Sequence, residues 1–256
     1  MELTWAGKRK AIVITIFSLV GLTLLSGLGF AIFYKVPSCT DGKLNQDEVG
    51  IDCGGSCTTF CSSEVKPIKV DFVRALQTEQ GRVDVIAYLE NPNKDAAAQS
   101  VEATVDLFGP NSTPISSKKI TIDIAPGVTT PVFIPGILGR EEQIVQTFLT
   151  IDASSFVWFK APNTTSVTPT VDTIVTEETG TPRVRAVLHN PTAYTISNTT
   201  LVATVFDTSG KAMAASKTLV PTLPPQGTSP LIFTWNAPFP GQVGRVEIIP
   251  LSVVTR

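Results

Sequence analysis

The side chains best equipped for chemistry are four cysteines, Cys39, Cys53, Cys57 and Cys61, interleaved with Asp41, Asn45, Asp47, Glu48 and Asp52. Thiols oxidise in pairs, thiolates hold soft metals, and clustered oxygens hold hard cations, so the spacing must discriminate. The pattern is C-x13-C-x3-C-x3-C with no nearby His. A structural zinc site places its ligands in two pairs, about two to four residues apart. An even, clustered set reads instead as two disulfides, with three pairings open among four cysteines. That reading requires an oxidising compartment.

Aligned with a calcium loop of about twelve residues, Asp41 takes position 5, Gly42 the sharp turn and Lys43 the carbonyl position. Asn45 then sits at position 9 and Glu48 at the bidentate position 12. Pro37 and Cys39 occupy positions 1 and 3, where carboxylates belong, so half the shell is missing. Weak calcium binding, completed by Asp47 or Asp52 and water, is one expectation. The plainer one is an acidic turn, closed by disulfides, whose side chains hydrogen-bond locally.

Catalytic machinery is not legible. No G-x-S-x-G, H-E-x-x-H or phosphate-cradling glycine loop occurs. The single histidine, His189, reads as a solvated strand-end residue. Glu141-Glu142 and Glu177-Glu178 are adjacent in extended chain, where neighbouring side chains diverge, so neither makes an acid/base pair. Trp158 and Trp235 read as core residues more readily than as ligand-stacking platforms. The expectation is a non-enzymatic protein.

The elements that position these groups begin with a membrane segment. Ala11 to Phe33 contains no charge, and at about 1.5 Å per residue it spans a hydrocarbon core of about 30 Å. Residues 11–34 are therefore expected as a transmembrane helix in contact with the bilayer, behind a cytoplasmic tail of residues 1–10. Lys8, Arg9 and Lys10 precede the run and only Lys35 closely follows, placing the N-terminus inside and the remainder outside. A cleaved leader would end in a small-residue site, which Gly29–Phe33 does not offer. Val36-Pro37-Ser38-Cys39 faintly suggests a lipoprotein box, but acylating Cys39 would leave three cysteines. Thr23, Gly27 and Ala31 form a small-residue stripe that could bring two such helices together as a homodimer. Small residues are also simply common in membrane helices.

Charged residues make up only 16% of the chain and the net charge is −2, so nothing supports nucleic-acid binding. Beyond Lys35 there are 16 basic and 21 acidic residues, a balance that repels anionic surfaces. Nineteen Pro and eighteen Gly favour short elements joined by turns.

After a stapled cysteine-rich spacer (35–65), residues 66–160 and 168–256 repeat each other across a polar linker (161–167). Val85–Pro92 aligns with Val184–Pro191, and Val101–Asp106 with Leu201–Phe206, at an offset of 99–100 residues. Each copy alternates with period two: Val83, Val85, Ala87 and Leu89 in the first, Val184, Ala186 and Leu188 in the second. The expected fold is all-β, two tandem antiparallel immunoglobulin-like β-sandwiches of about six or seven strands behind one transmembrane helix. An Asn-Pro pair ends a strand in each copy, the proline breaking the ladder and the Asn bonding the turning backbone.

Two resemblances accompany this reading. The stretch from Cys39 to Cys61 resembles the DGxxNxxExxxDCGGxC segment of bacterial secreted and surface proteins, which implies a stapled spacer beside extracellular modules. Leu89-Glu90-Asn91-Pro92-Asn93, Val105–Gly109 and Ala125-Pro126-Gly127, with Leu188–Thr192 and Val205–Gly210 in the second copy, resemble the late-embryogenesis-abundant type 2 (WHy) and FxLYD domains. That likeness implies a β-sandwich with a binding or stabilising role and no catalytic residues. The functional expectation is a membrane-anchored protein presenting two modules to an envelope or extracellular protein. The alternative is a tethered small-ligand or calcium-binding module.

Overall fold

The computed structural model describes residues 5–34, 38–77, 82–139, 143–161, 169–178 and 180–251. The first element, α1 (Trp5–Phe33), contains the uncharged run and starts six residues before it. Lys8, Arg9 and Lys10 extend it because Lys and Arg are good helix formers, and Arg9 lies over the Trp5 ring at 3.9 Å. Over Gly7–Phe33 its mean hydropathy is 2.3 and none of its most apolar stretch is buried against the protein. Thr23 returns its hydroxyl to the carbonyls of Leu19 and Val20, and a Cβ at Gly27 would meet nothing.

Among the described residues the first module has seven strands: β1 (Lys69–Gln77), β2 (Arg82–Glu90), β3 (Ala96–Phe108), β4 (Pro114–Ile124), β5 (Thr129–Gly139), β6 (Gln146–Ile151) and β7 (Trp158–Lys160). The second has six: β8 (Thr170–Glu177), β9 (Arg183–His189), β10 (Ile196–Asp207), β11 (Ala212–Leu223), β12 (Thr228–Thr234) and β13 (Val243–Pro250). One sheet of the first module runs β1-β2-β5, the other β4-β3-β6 with β7 also on β3; the second module repeats this as β8-β9-β12 and β11-β10-β13. Pairing is antiparallel throughout. The sequence repeat is thus a repeat of topology.

Each sandwich has its own core. Val83, Val85, Leu89, Val101, Val105 and Leu107 fill the first, and Val184, Leu188, Leu201, Val205, Leu231 and Phe233 the second. Trp158 and Trp235 are buried in them as expected, with Trp235 Nε1 donating to the Ala215 carbonyl at 3.1 Å.

A third cluster joins the modules. Leu76, Ile86 and Tyr88 from the β1-β2-β5 sheet pack against Val202, Phe206, Ala212 and Ala215 from the β11-β10-β13 sheet. Strands β2 and β10 are therefore buried on both faces, and the two sandwiches form a four-layered stack. Apart from Ala161, the expected linker (161–167) lies outside the described residues, as does Glu141-Glu142.

Candidate functional site

Two places gather polar groups on this scaffold: the stapled loop below α1 and the seam between the modules. In the loop, Cys39 pairs with Cys57 and Cys53 with Cys61, which selects one of the three pairings. All four sulfurs are oxidised. Gly54 and Gly55 make the crossing feasible, with φ of +80° and +53°. A Cβ on Gly55 would stand 2.0 Å from the Asp47 carbonyl oxygen.

The loop's carboxylates serve its own backbone. Asp52 accepts from the amides of Asp41 (2.9 Å) and Gly42 (3.0 Å), while Asp41 accepts from the Lys43 amide and from Asn45 Nδ2. Glu48 accepts from the Asn45 amide at 3.1 Å. Asp47 points elsewhere, to Ser56 Oγ at 2.7 Å, and this hydrogen bond holds its carboxyl below the usual carboxylate range. Asp41, Asn45, Glu48 and Asp52 are thus brought together and Asp47 is not. Asn45 Oδ1 is buried and accepts no hydrogen bond. Among the described residues, one trio of candidate ligand atoms falls within 4.8 Å, Cys39, Glu48 and Cys57, and its two sulfurs are spent in a disulfide.

The stapled segment also adds to the first sandwich. Thr59 bridges Phe159, the Phe60 amide donates to the Trp158 carbonyl at 3.0 Å, and the Lys160 amide donates to Thr58 at 2.7 Å. Lys160 Nζ reaches the Gly55 carbonyl. Asn93 pairs with Lys66 as a backbone would, Nδ2 to the Lys66 carbonyl and Oδ1 from its amide, each 2.8 Å. The stretch Ser62–Lys66 is thus held at both ends, by the Cys53–Cys61 disulfide and by Asn93.

Both Asn-Pro turns are clamps. Asn91 Nδ2 donates to the carbonyls of Ala96 and Ala125 while Oδ1 accepts from the Asn93 amide. Asn190 does the same with Tyr194, Pro224 and Thr192. Both side chains are buried, and Asn91 satisfies backbone groups of Ala96, Ala125 and Asn93 that water cannot reach. His189, one residue earlier, is half-buried on the central strand β9, opposite Thr170 and Thr228.

The seam was not foreseen from the sequence. An open cleft of about 790 Å³ runs along it, lined by Gln77, Arg82 and Asp84 from the first module and Lys217, Trp235 and Phe239 from the second. Asp84 is 5% exposed; it accepts from Arg82 Nε at 3.0 Å and from the Gly136 amide at 2.6 Å. The β5 bulge that presents this amide falls between the pairs Val83–Leu138 and Val85–Ile134. Clefts between modules are common ligand sites. The signal for the seam was in the pattern: Ile86 and Tyr88 occupy the nominally polar face of β2, and Leu201–Phe206 is nearly continuous in apolar residues. Such runs mark strands buried on both faces.

No family model matches this sequence, and no curated protein matches it. Among solved structures the chain is similar to red sea bream transglutaminase, at 11% identity and a TM-score of 0.23 over 73% of this chain. It spans 29% of that structure's length, and at this score the likeness carries no argument about fold or activity.

Proposed function

We propose that this chain is a single-pass membrane protein, with a cytoplasmic N-terminus, that holds a rigid two-module β block outside the cell for another envelope or extracellular protein to bind, without catalysis. The observation that carries the reading is the succession of an apolar helix ending at Phe33 and a pair of disulfides beginning at Cys39. Disulfides persist in oxidising compartments, and Lys8, Arg9 and Lys10 belong on the cytoplasmic side. The cleft along the seam, with Trp235 and Phe239 beside Arg82 and Lys217, is the surface best suited to a partner. Aromatic and Arg side chains in partly enclosed ground are favoured contact residues. Protease added to intact cells should remove the modules, and crosslinking there followed by mass spectrometry identifies the partner. Modules that survive protease, with four thiols open to labelling, overturn the reading.

The second reading is a calcium-binding loop, for which the buried, unpartnered Asn45 Oδ1 speaks. Calorimetry with millimolar calcium, repeated with Asn45→Ala and Asp52→Asn, decides it; a heat that both substitutions abolish supports it, and no heat removes it.

A further inference from the structure

In the stapled loop three carboxylates turn inward while three aliphatic side chains turn outward. Asp41, Glu48 and Asp52 are half-buried and turned onto backbone amides, whereas Leu44, Val49 and Ile51 are 62%, 55% and 62% exposed. Soluble surfaces ordinarily arrange these types the other way round. Three large aliphatic side chains thus stand exposed within eight positions on a loop closed by two disulfides.

The length of the tether says what covers it. Tyr34 ends the helical turn at the rim of the apolar run, its amide still bonded to the Phe30 carbonyl. Cys39 follows five residues later, a reach of at most about 17 Å. Headgroups occupy roughly 5–8 Å on each side of the hydrocarbon core. The loop therefore lies within reach of the headgroup layer, and its hydrogen bonds to β7 make it part of the β block.

We infer that Leu44, Val49 and Ile51 rest in the interfacial layer of the bilayer, so that the loop is a second membrane contact that sets the standing angle of the β block. The inference relies on the membrane-anchored reading. The contact is apolar in origin: the loop holds four carboxylates, Asp41, Asp47, Glu48 and Asp52, against Lys43, so anionic lipid gives no advantage.

The test uses the full chain in phosphatidylcholine nanodiscs carrying Ile51→Trp or, in parallel, Val49→Trp, with lipids brominated high on the acyl chain as quenchers. The added emission of both variants should be mostly lost, that of Leu219→Trp on exposed β11 unchanged, and phosphatidylglycerol should not deepen the loss. Unquenched Ile51→Trp and Val49→Trp alongside a quenched Trp5 leave the anchor standing and overturn the inference. Emission shielded from aqueous acrylamide but unaffected by brominated lipid identifies a protein occupant and overturns it equally. If Trp5 is not quenched either, the anchored reading itself fails and takes this one with it.

Discussion

Tyr88 of the first module meets Phe206 of the second edge to face, with ring centroids 6.1 Å apart and planes at 78°. Phe72 stacks on Tyr88 at 4.7 Å, and the Arg245 guanidinium covers Phe206 at 3.8 Å. This aromatic joint makes two sandwiches with separate cores into one mechanical unit.

Removing Phe206 should therefore uncouple them. Phe206 is 1% exposed, and truncating such a ring costs about 3–5 kcal/mol. Phe206→Ala is expected to turn a single unfolding transition into two, followed by calorimetry. One unchanged transition would refute the coupling.

The Tyr88 hydroxyl is buried near Thr204 and Glu247 without a hydrogen bond. Tyr88→Phe should thus be neutral or stabilising by about 1 kcal/mol in denaturant titration. Burial, the largest cause, pushes this phenol above its ordinary value. The folded state then keeps a proton that the unfolded chain releases above about pH 10, so stability falls as pH rises past that point. Tyr88→Phe should flatten this alkaline decline.

The Asn clamps should be costly to remove. Asn91→Ala strips donors from the buried Ala96 and Ala125 carbonyls, whereas after Asn190→Ala the Tyr194 carbonyl keeps the Thr192 hydroxyl and the Pro224 carbonyl keeps the Gly227 amide. The Asn91 loss is expected at about 2–4 kcal/mol, given about 1–3 per buried group left unpaired, and the Asn190 loss at less. Substitution by Asp should not restore stability, since a carboxylate cannot donate to these carbonyls. Full recovery with Asp would argue against the clamp.

Acid should withdraw the stabilisation that two turn carboxylates supply. Asp207 is held below the usual carboxylate range by the Ser209 hydroxyl and then by the Lys211 amide, and Asp152 by Ser154. A depressed folded value means stabilisation present above the unfolded value and lost as pH falls below about 4. In an NMR titration Ser209→Ala should raise the Asp207 midpoint and leave Asp152 in place.

Reduction should release the stapled loop and spare the sandwiches. The Cys39–Cys57 disulfide, across a sequence separation of 18, stabilises the folded loop by about 3 kcal/mol over its reduced form. Hydrogen exchange should rise across 39–61 after reduction, with β2 and β10 still protected. Peptide mapping should recover Cys39–Cys57 and Cys53–Cys61 and no other pairing.

Local signals made the apolar helix, the alternating strands and the duplicated order of elements legible in the sequence. A hydrophobic period is a property of neighbours along the chain, as in Val184, Ala186 and Leu188. The pairing of the cysteines was not legible, because spacing left three options and the choice depends on how Gly54 and Gly55 fold the loop back on Asp47. Nor was the seam, where Tyr88 and Phe206 meet from 118 positions apart. The apolar residues on the polar side of β2 and the nearly unbroken apolar run Leu201–Phe206 were its traces. The Asn-Pro turns were read locally, yet their long-range reach to Ala125 and Pro224 appears only in three dimensions.

The joint between the modules is head to tail: the β1-β2-β5 face of one meets the β11-β10-β13 face of the other. Such an arrangement has no natural end, and a third unit could add at either side indefinitely. The repeat alignment shows what stops it. Where the joint has Ile86, the outer face of the second module has Arg185, already paired with Glu177; where it has Val202 and Phe206, the outer face of the first has Glu102 and Asp106. A further unit meeting either outer face would therefore bury charge, which disfavours growth of this stack into a fibre.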